Sequence, residues 1–164
     1  MIELFTATSK IQAKHAKDVQ FSRLGVGFEK LDRNAFDPEK AYDKVASLGA
    51  KWVRIQSGWQ RTETAPGVYD FAWLDDVVDN LLSRGLWPWI CLCYGNPLYS
   101  EAAKVVFGSV GIVPMYTEEE RTAWKKYVIA LTKHFHGRVH YYEIWNEPDN
   151  GHCWRRGVNG TEFG

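Results

Sequence analysis

The run Val139-His-Tyr-Tyr-Glu-Ile-Trp-Asn-Glu-Pro-Asp149 decides the fold. It is apolar and aromatic as far as Trp145, then turns polar at Asn146 and Glu147 just before Pro148. The pattern predicts a buried strand that carries an amide and a carboxylate to its own C-terminal end. The proline stops the ladder there because it has no N–H to donate. Glu29, Gln56 and Asn96 follow other apolar runs in the same way. In parallel α/β sheets, that end of the strands is where ligands bind.

Working outward from this run, strands and helices alternate. Arg23 to Leu31 reads as a first strand with its exit loop. Asp37 and Pro38 supply an N-cap and a first-turn proline, and Tyr42, Val45, Ala46 and Leu48 recur at helical spacing until Gly49. Lys51 to Gln56 is a second strand, followed by a loop with Pro66 and Gly67. Leu74, Val77, Val78, Leu81 and Leu82 then share one face of a helix over residues 73–82, which Gly85 ends. Leu86 to Tyr94 is a third strand, and residues 95–116 form a long loop. Thr117 caps a third helix with Glu118, Glu119 and Glu120 in its first turn, where the dipole favours anions. Trp124, Tyr127, Val128, Leu131 and Phe135 form its buried stripe.

This is βα three times and then a fourth strand, in residues 23–164, behind a lead-in of residues 1–22. It predicts an α/β domain with a parallel sheet and helices packed outside. A doubly wound sheet and part of a (β/α)8 barrel both fit. A dinucleotide-binding sheet needs a Gly-rich phosphate loop after its first strand. Gly25 and Gly27 lie inside the strand instead, and no P-loop occurs. The Asn-Glu-Pro strand end favours the barrel, whose sites stand at the strand C-termini.

Composition narrows the function classes. Lys plus Arg and Asp plus Glu number 20 each, so net charge gives no pull toward nucleic acid or an anionic membrane. No window is long and apolar enough to span a bilayer, and residues 1–22 are polar and basic, without the apolar centre of a secretory signal. Aromatic residues make up 15% of the chain, which suits sugar-ring packing as well as bulky core packing. Cys91, Cys93 and Cys153 form no disulfide framework; the first two read as small buried hydrophobes. His134, His136, His140 and His152 lack ligand spacing with a matching carboxylate, so neither metal nor cofactor is expected.

The Asn146-Glu147-Pro148 triplet after an aromatic strand resembles the acid/base signature of the large clan of glycoside hydrolases built on (β/α)8 barrels. Trp52-Val-Arg-Ile, Gly58-Trp59, Glu63, Gly67-Val-Tyr-Asp-Phe-Ala-Trp-Leu-Asp75, Gly85-Leu-Trp-Pro-Trp and Tyr94-Gly-Asn-Pro also resemble that clan, in the correct order. The details look most like family 39 β-xylosidases. The resemblance covers residues 23–150 and stops at the fourth of eight strands. It implies the N-terminal half of a glycosidase barrel in a truncated reading frame, since a full unit takes about 250 residues.

The resemblance implies a retaining mechanism with two carboxyl groups about 5–5.5 Å apart. Glu147 is then the proton donor, kept protonated by burial and a neighbouring carboxylate. The nucleophile belongs to a seventh strand that this sequence lacks. Asn146 would bind the sugar 2-hydroxyl, an interaction that strengthens in the transition state. Each role has a plainer counterpart: Glu147 as a solvated loop residue, Asn146 as a turn residue capping the strand. Asn96 either reaches a substrate hydroxyl or serves a turn. Glu29 either touches substrate or forms a surface salt bridge. Trp59, Tyr94, Trp145 and Trp154 are candidate sugar platforms; Trp145, within the strand, is either that or simple packing, and Trp154 is the freer ring in an exposed-looking loop. Arg54 sits mid-strand, where a charge needs a partner. Alternation offers Glu143, and the pair either supports the catalytic groups or is structural.

Two other functions stay open: a non-catalytic carbohydrate-binding half-barrel or pseudoenzyme, and a different barrel enzyme such as a lyase or aldolase. The expected partner is carbohydrate, with no nucleic acid and no membrane. A half-barrel leaves bare sheet edges, so the chain is also expected to self-associate.

Overall fold

The computed structural model describes residues 12–164; residues 1–11, within the expected lead-in, lie outside it. Four parallel strands form one sheet in the order β1 (Gly25–Phe28), β2 (Trp52–Gln56), β5 (Trp87–Leu92), β6 (Tyr142–Ile144). The crossovers run through α1 (Tyr42–Ala46), α3 (Ala72–Ser83) and α4 (Glu118–His134). Each strand therefore pairs with the next one along the sequence, as in a winding barrel wall.

Local chemistry sets the helix boundaries. Asp37 accepts from the Glu39 N–H and starts the turn Pro38–Lys40 that leads into α1. Thr117 and Glu120 form a reciprocal capping box at the start of α4, satisfying two otherwise orphaned N–H groups. Phe135 stays in the buried stripe although the helix proper ends one residue earlier.

The sheet has two unlike faces. Val53, Ile55, Ile90 and Leu92 point at the helices and pack with Leu74, Val78, Leu81, Tyr127 and Leu131 in one core. The opposite face carries Trp52, Arg54 and Trp89, all partly exposed. The glycines of β1 make room on that side. Gly27 stands in register with Arg54, and a Cβ on it would lie 3.0 Å from Glu29 Oε1.

Two expectations need correction. The segment after β2 is more than a loop: it holds the one-turn helix α2 (Trp59–Thr62) and a hairpin of β3 (Glu63–Ala65) and β4 (Val68–Tyr69). Its entry needs glycine, because Gly58 has φ +62° and a Cβ would sit 2.7 Å from Asp32 Cβ. The run from Val139 is also less strand than its composition predicts. β6 is three residues long and lies at the sheet edge, with Ile144 62% exposed.

β1 and β6 are both edges among the described residues, flanked by exposed Leu24 and Tyr141. Unpaired edge groups beside apolar side chains favour pairing with a second chain. Sedimentation of the isolated chain should show concentration-dependent dimers or larger species. A monomer persisting at high concentration would contradict this.

Candidate active site

Arg54 is the hub at the C-terminal end of the sheet. Its Nε and Nη2 donate to the two carboxylate oxygens of Glu143 at 2.8 and 2.6 Å. Nη1 donates to Glu29 at 2.6 Å, and Nη2 also reaches Asn146 Oδ1 at 2.9 Å. The hydrogen bond from Arg54 pulls the Glu143 carboxyl below its ordinary range, against desolvation and with help from Trp89 Nε1. Alternation along the strands predicts that Arg54 meets Glu143. The links to Glu29 and Asn146, 25 and 92 residues away, have no sequence signal, because both residues lie past the strand ends where alternation no longer applies.

The chain leaves β6 through two left-handed residues, Trp145 at φ +66° and Glu147 at φ +46°. For a bulky side chain this conformation is strained, and it persists only where the surroundings fix it. Here they do. Trp145 N donates to Leu92 O, its Nε1 donates to Cys153 O at 2.8 Å, and its carbonyl accepts from the Cys91 thiol. Its ring meets Tyr94, Trp124 and Trp154 edge-on. The strained turn aims Asn146 and Glu147 at a cavity of about 570 Å³, which Glu29, Arg54, Tyr94 and Cys153 also line.

Asn146 is buried, with its oxygen on Arg54 and its Nδ2 3.3 Å from the Cys153 sulfur. Glu147 is exposed at the cavity rim rather than buried, and accepts from Asn150 Nδ2 at 3.1 Å and from the Cys153 thiol at 3.3 Å. Glu29 lines the same cavity.

Two candidates do not behave as expected, and a third takes the plainer of its two roles. Trp59 is 1% exposed and stacks between Tyr99 and Tyr127, with centroids 5.4 and 5.6 Å away, so it is core and presents no platform. Trp154 is also buried, edge-on to Trp145 and Phe163, because the loop after Glu147 folds back over the strand end. Asn96 turns inward: its Nδ2 donates to Glu63 O at 2.8 Å and its Oδ1 accepts from Leu98 N, which is the turn role. Tyr94, a candidate platform, reaches the site from the loop after β5, and Asn150 and Cys153, for which no sequence signal exists, reach it from the loop after Glu147. Among the described residues no cluster of three His, Cys, Asp or Glu could hold a metal.

A second cavity of about 540 Å³ lies behind Arg33 and Tyr94 and is lined by Asp32, whose side chain is 3% exposed. Burial pushes the Asp32 carboxyl up to about 6, with Arg33 opposing. A folded value above the unfolded one means that the folded chain takes up a proton first. This contribution to stability is therefore full below the unfolded value and is lost as pH rises through about 6. Asp32→Asn should gain on the parent by about 2–3 kcal/mol between about pH 4 and 7 in urea unfolding. An equal difference at both pH values would refute it.

Comparison with known proteins bears on the fold that carries this site. Residues 28–98 match a family model described as β-galactosidase, of glycoside hydrolase family 42. A curated β-xylosidase from Caldicellulosiruptor saccharolyticus is 27% identical over 118 residues, covering 62% of this chain and 23% of that protein. The chain thus spans less than two thirds of the relative it matches. A monomeric β-xylosidase structure from Caulobacter crescentus CB15 superposes with a TM-score of 0.64 at 20% identity, over 93% of this chain and 33% of the other. A family 39 glycoside hydrolase from Bacteroides cellulosilyticus WH2 gives a TM-score of 0.59 at 24% identity, over 76% of this chain and 24% of its own. The sequence matches are to glycoside hydrolases, and the fold is that of the N-terminal part of the (β/α)8 barrels of the solved glycosidases.

Proposed function

We propose that this chain supplies the acid/base half of a retaining glycoside hydrolase, with Glu147 as proton donor to the glycosidic oxygen. The observation that carries the reading is the delivery of Asn146 and Glu147, by a strained turn at the end of the fourth parallel strand, into a cavity floored by Arg54. Asn146 has its oxygen held by Arg54 and one N–H directed at the Cys153 sulfur, which leaves the second N–H of its amide for a sugar hydroxyl. A retaining displacement breaks the anomeric C–O bond as a carboxylate attacks, and Glu147 transfers its proton to the departing oxygen. It then takes a proton from water in the second step. The attacking carboxylate belongs, in the clan, to a seventh strand; no residue of the four described strands is given that part.

The relatives named β-xylosidases make β-xylosides the first substrates to try. The second reading, sugar binding without turnover, draws on Glu29: this other acid of the cavity is held by Arg54 rather than free to attack. Release of xylose from an alkyl β-xyloside by a protein that joins this chain to the seventh-strand carboxylate, lost on Glu147→Gln, separates the two. Binding of xylose with no release in any form would favour the second.

A further inference from the structure

The two oxygens of Glu147 have different surroundings. Oε2 accepts from both Asn150 Nδ2 and the Cys153 thiol, whereas Oε1 has no partner among the described residues. Cys153 does not owe its place to these bonds. Its N–H donates to Asn150 O at 2.9 Å and its carbonyl accepts from Trp145 Nε1.

The thiol has a single proton. With that proton on Glu147, the sulfur accepts from Asn146 Nδ2 at 3.3 Å, and the Tyr94 hydroxyl 3.7 Å away is left as a donor toward it. Tyr94 accepts in turn from Gln56 Nε2 at 3.4 Å, and Gln56 Oε1 accepts from Arg33 Nη2 at 3.0 Å. Every donor points the same way, from the guanidinium of Arg33 to the carboxylate of Glu147. Aligned donors in a water-poor interior polarise and reinforce one another.

We infer that Tyr94, Cys153 and Asn150 are positioning residues that anchor Oε2 of Glu147 and reserve Oε1 for the proton passed to the glycosidic oxygen. An exposed glutamate otherwise samples many rotamers. Misplacement by about 1 Å is costly for a proton transfer. The inference rests on Glu147 being the proton donor.

Its wiring can be tested on the chain itself, without hydrolysis. Burial raises the Cys153 thiol; the Tyr94 hydroxyl opposes this and the Glu147 carboxylate adds to it. Alkylation of Cys153 by iodoacetamide, followed by peptide mass spectrometry from neutral to alkaline pH, should therefore be several-fold faster in Glu147→Gln and slower in Tyr94→Phe. Cys153 is itself buried at 4% exposure, and Cys91 and Cys93, at 0%, serve as the less accessible internal controls. Rates equal within about twofold in all three proteins would overturn the wiring. So would a Cys153 that never reacts until the chain is unfolded in urea.

The positioning role is read in hydrolysis. Cys153→Ala should lower kcat on alkyl xylosides by ~10-fold, with little change on activated aryl xylosides, and Cys153→Ser should restore it. No change on either substrate would overturn the role. Absence of hydrolysis in a protein that joins this chain to the seventh-strand carboxylate would strike the donor assignment and leave the alkylation result to judge the wiring.

Discussion

In a protein that joins this chain to the seventh-strand carboxylate, Glu147→Gln should cut hydrolysis of alkyl and disaccharide substrates by about 10²–10⁴-fold, equivalent to about 3–5 kcal/mol of transition-state stabilisation. The same variant should lose far less on aryl glycosides whose leaving groups depart as stable anions. The difference follows from what a proton donor supplies. A sugar or alkyl alcohol leaves poorly as its alkoxide and needs the proton in the transition state; an activated phenol does not. Glutamine keeps the shape and can still accept from Asn150 and Cys153 through its carbonyl, so folding is spared and the lost proton is what remains. Steady-state kcat/KM on a graded series of aryl leaving groups, plotted against leaving-group acidity, would show a steeper slope for the variant. Parallel lines, with equal loss throughout, would remove Glu147 from the donor role.

The βα order could be read from the sequence because hydrophobic spacing reports it directly. The stripe Leu74, Val77, Val78, Leu81 can only be one face of a helix, and the observed α3 buries those four residues. Asn146 and Glu147 were legible for a similar reason: they adjoin a strand end in the sequence itself. What surrounds them was not. Arg54 meets Glu29, Glu143 and Asn146 across separations of 25, 89 and 92 residues, and of these only Glu143 follows from strand alternation. The indoles misled because an aromatic residue in a loop has the same sequence signature whether it faces a sugar or its neighbours. Trp59 is covered by rings from segments 40 and 68 residues away, and Trp154 by Trp145 and Phe163, nine residues to either side, which its own loop folds against it. β6 is short because the polar turn at Trp145 begins with a left-handed residue, which no ladder accommodates.

Glu63 is where the largest loss of stability should fall, although it touches no cavity described above. Its side chain is buried at 1% exposure and accepts three hydrogen bonds. Oε2 takes Trp59 Nε1 at 2.5 Å; Oε1 takes Gly67 N and the Tyr99 hydroxyl, each at 2.6 Å. Glu63→Ala orphans all three donors and opens a void beside the Trp59 stack. Each orphan costs about 1–3 kcal/mol, so the sum is about 4 kcal/mol or more, against a typical domain stability of about 5–15 kcal/mol. Glu63→Gln should cost less, about 1–3 kcal/mol, because its carbonyl can still serve one side while its NH2 must face a donor on the other. The site should register the damage too. Trp59 packs edge-on against Trp124, and Trp124 against Trp145, the strained residue that turns Asn146 and Glu147 into their cavity. Urea unfolding followed by tryptophan fluorescence reads the stability, and near-ultraviolet circular dichroism in the absence of urea reads the ring stack. A Glu63→Ala chain within about 1 kcal/mol of the parent would mean that water replaces the carboxylate at all three donors, and the aromatic column would then not depend on it.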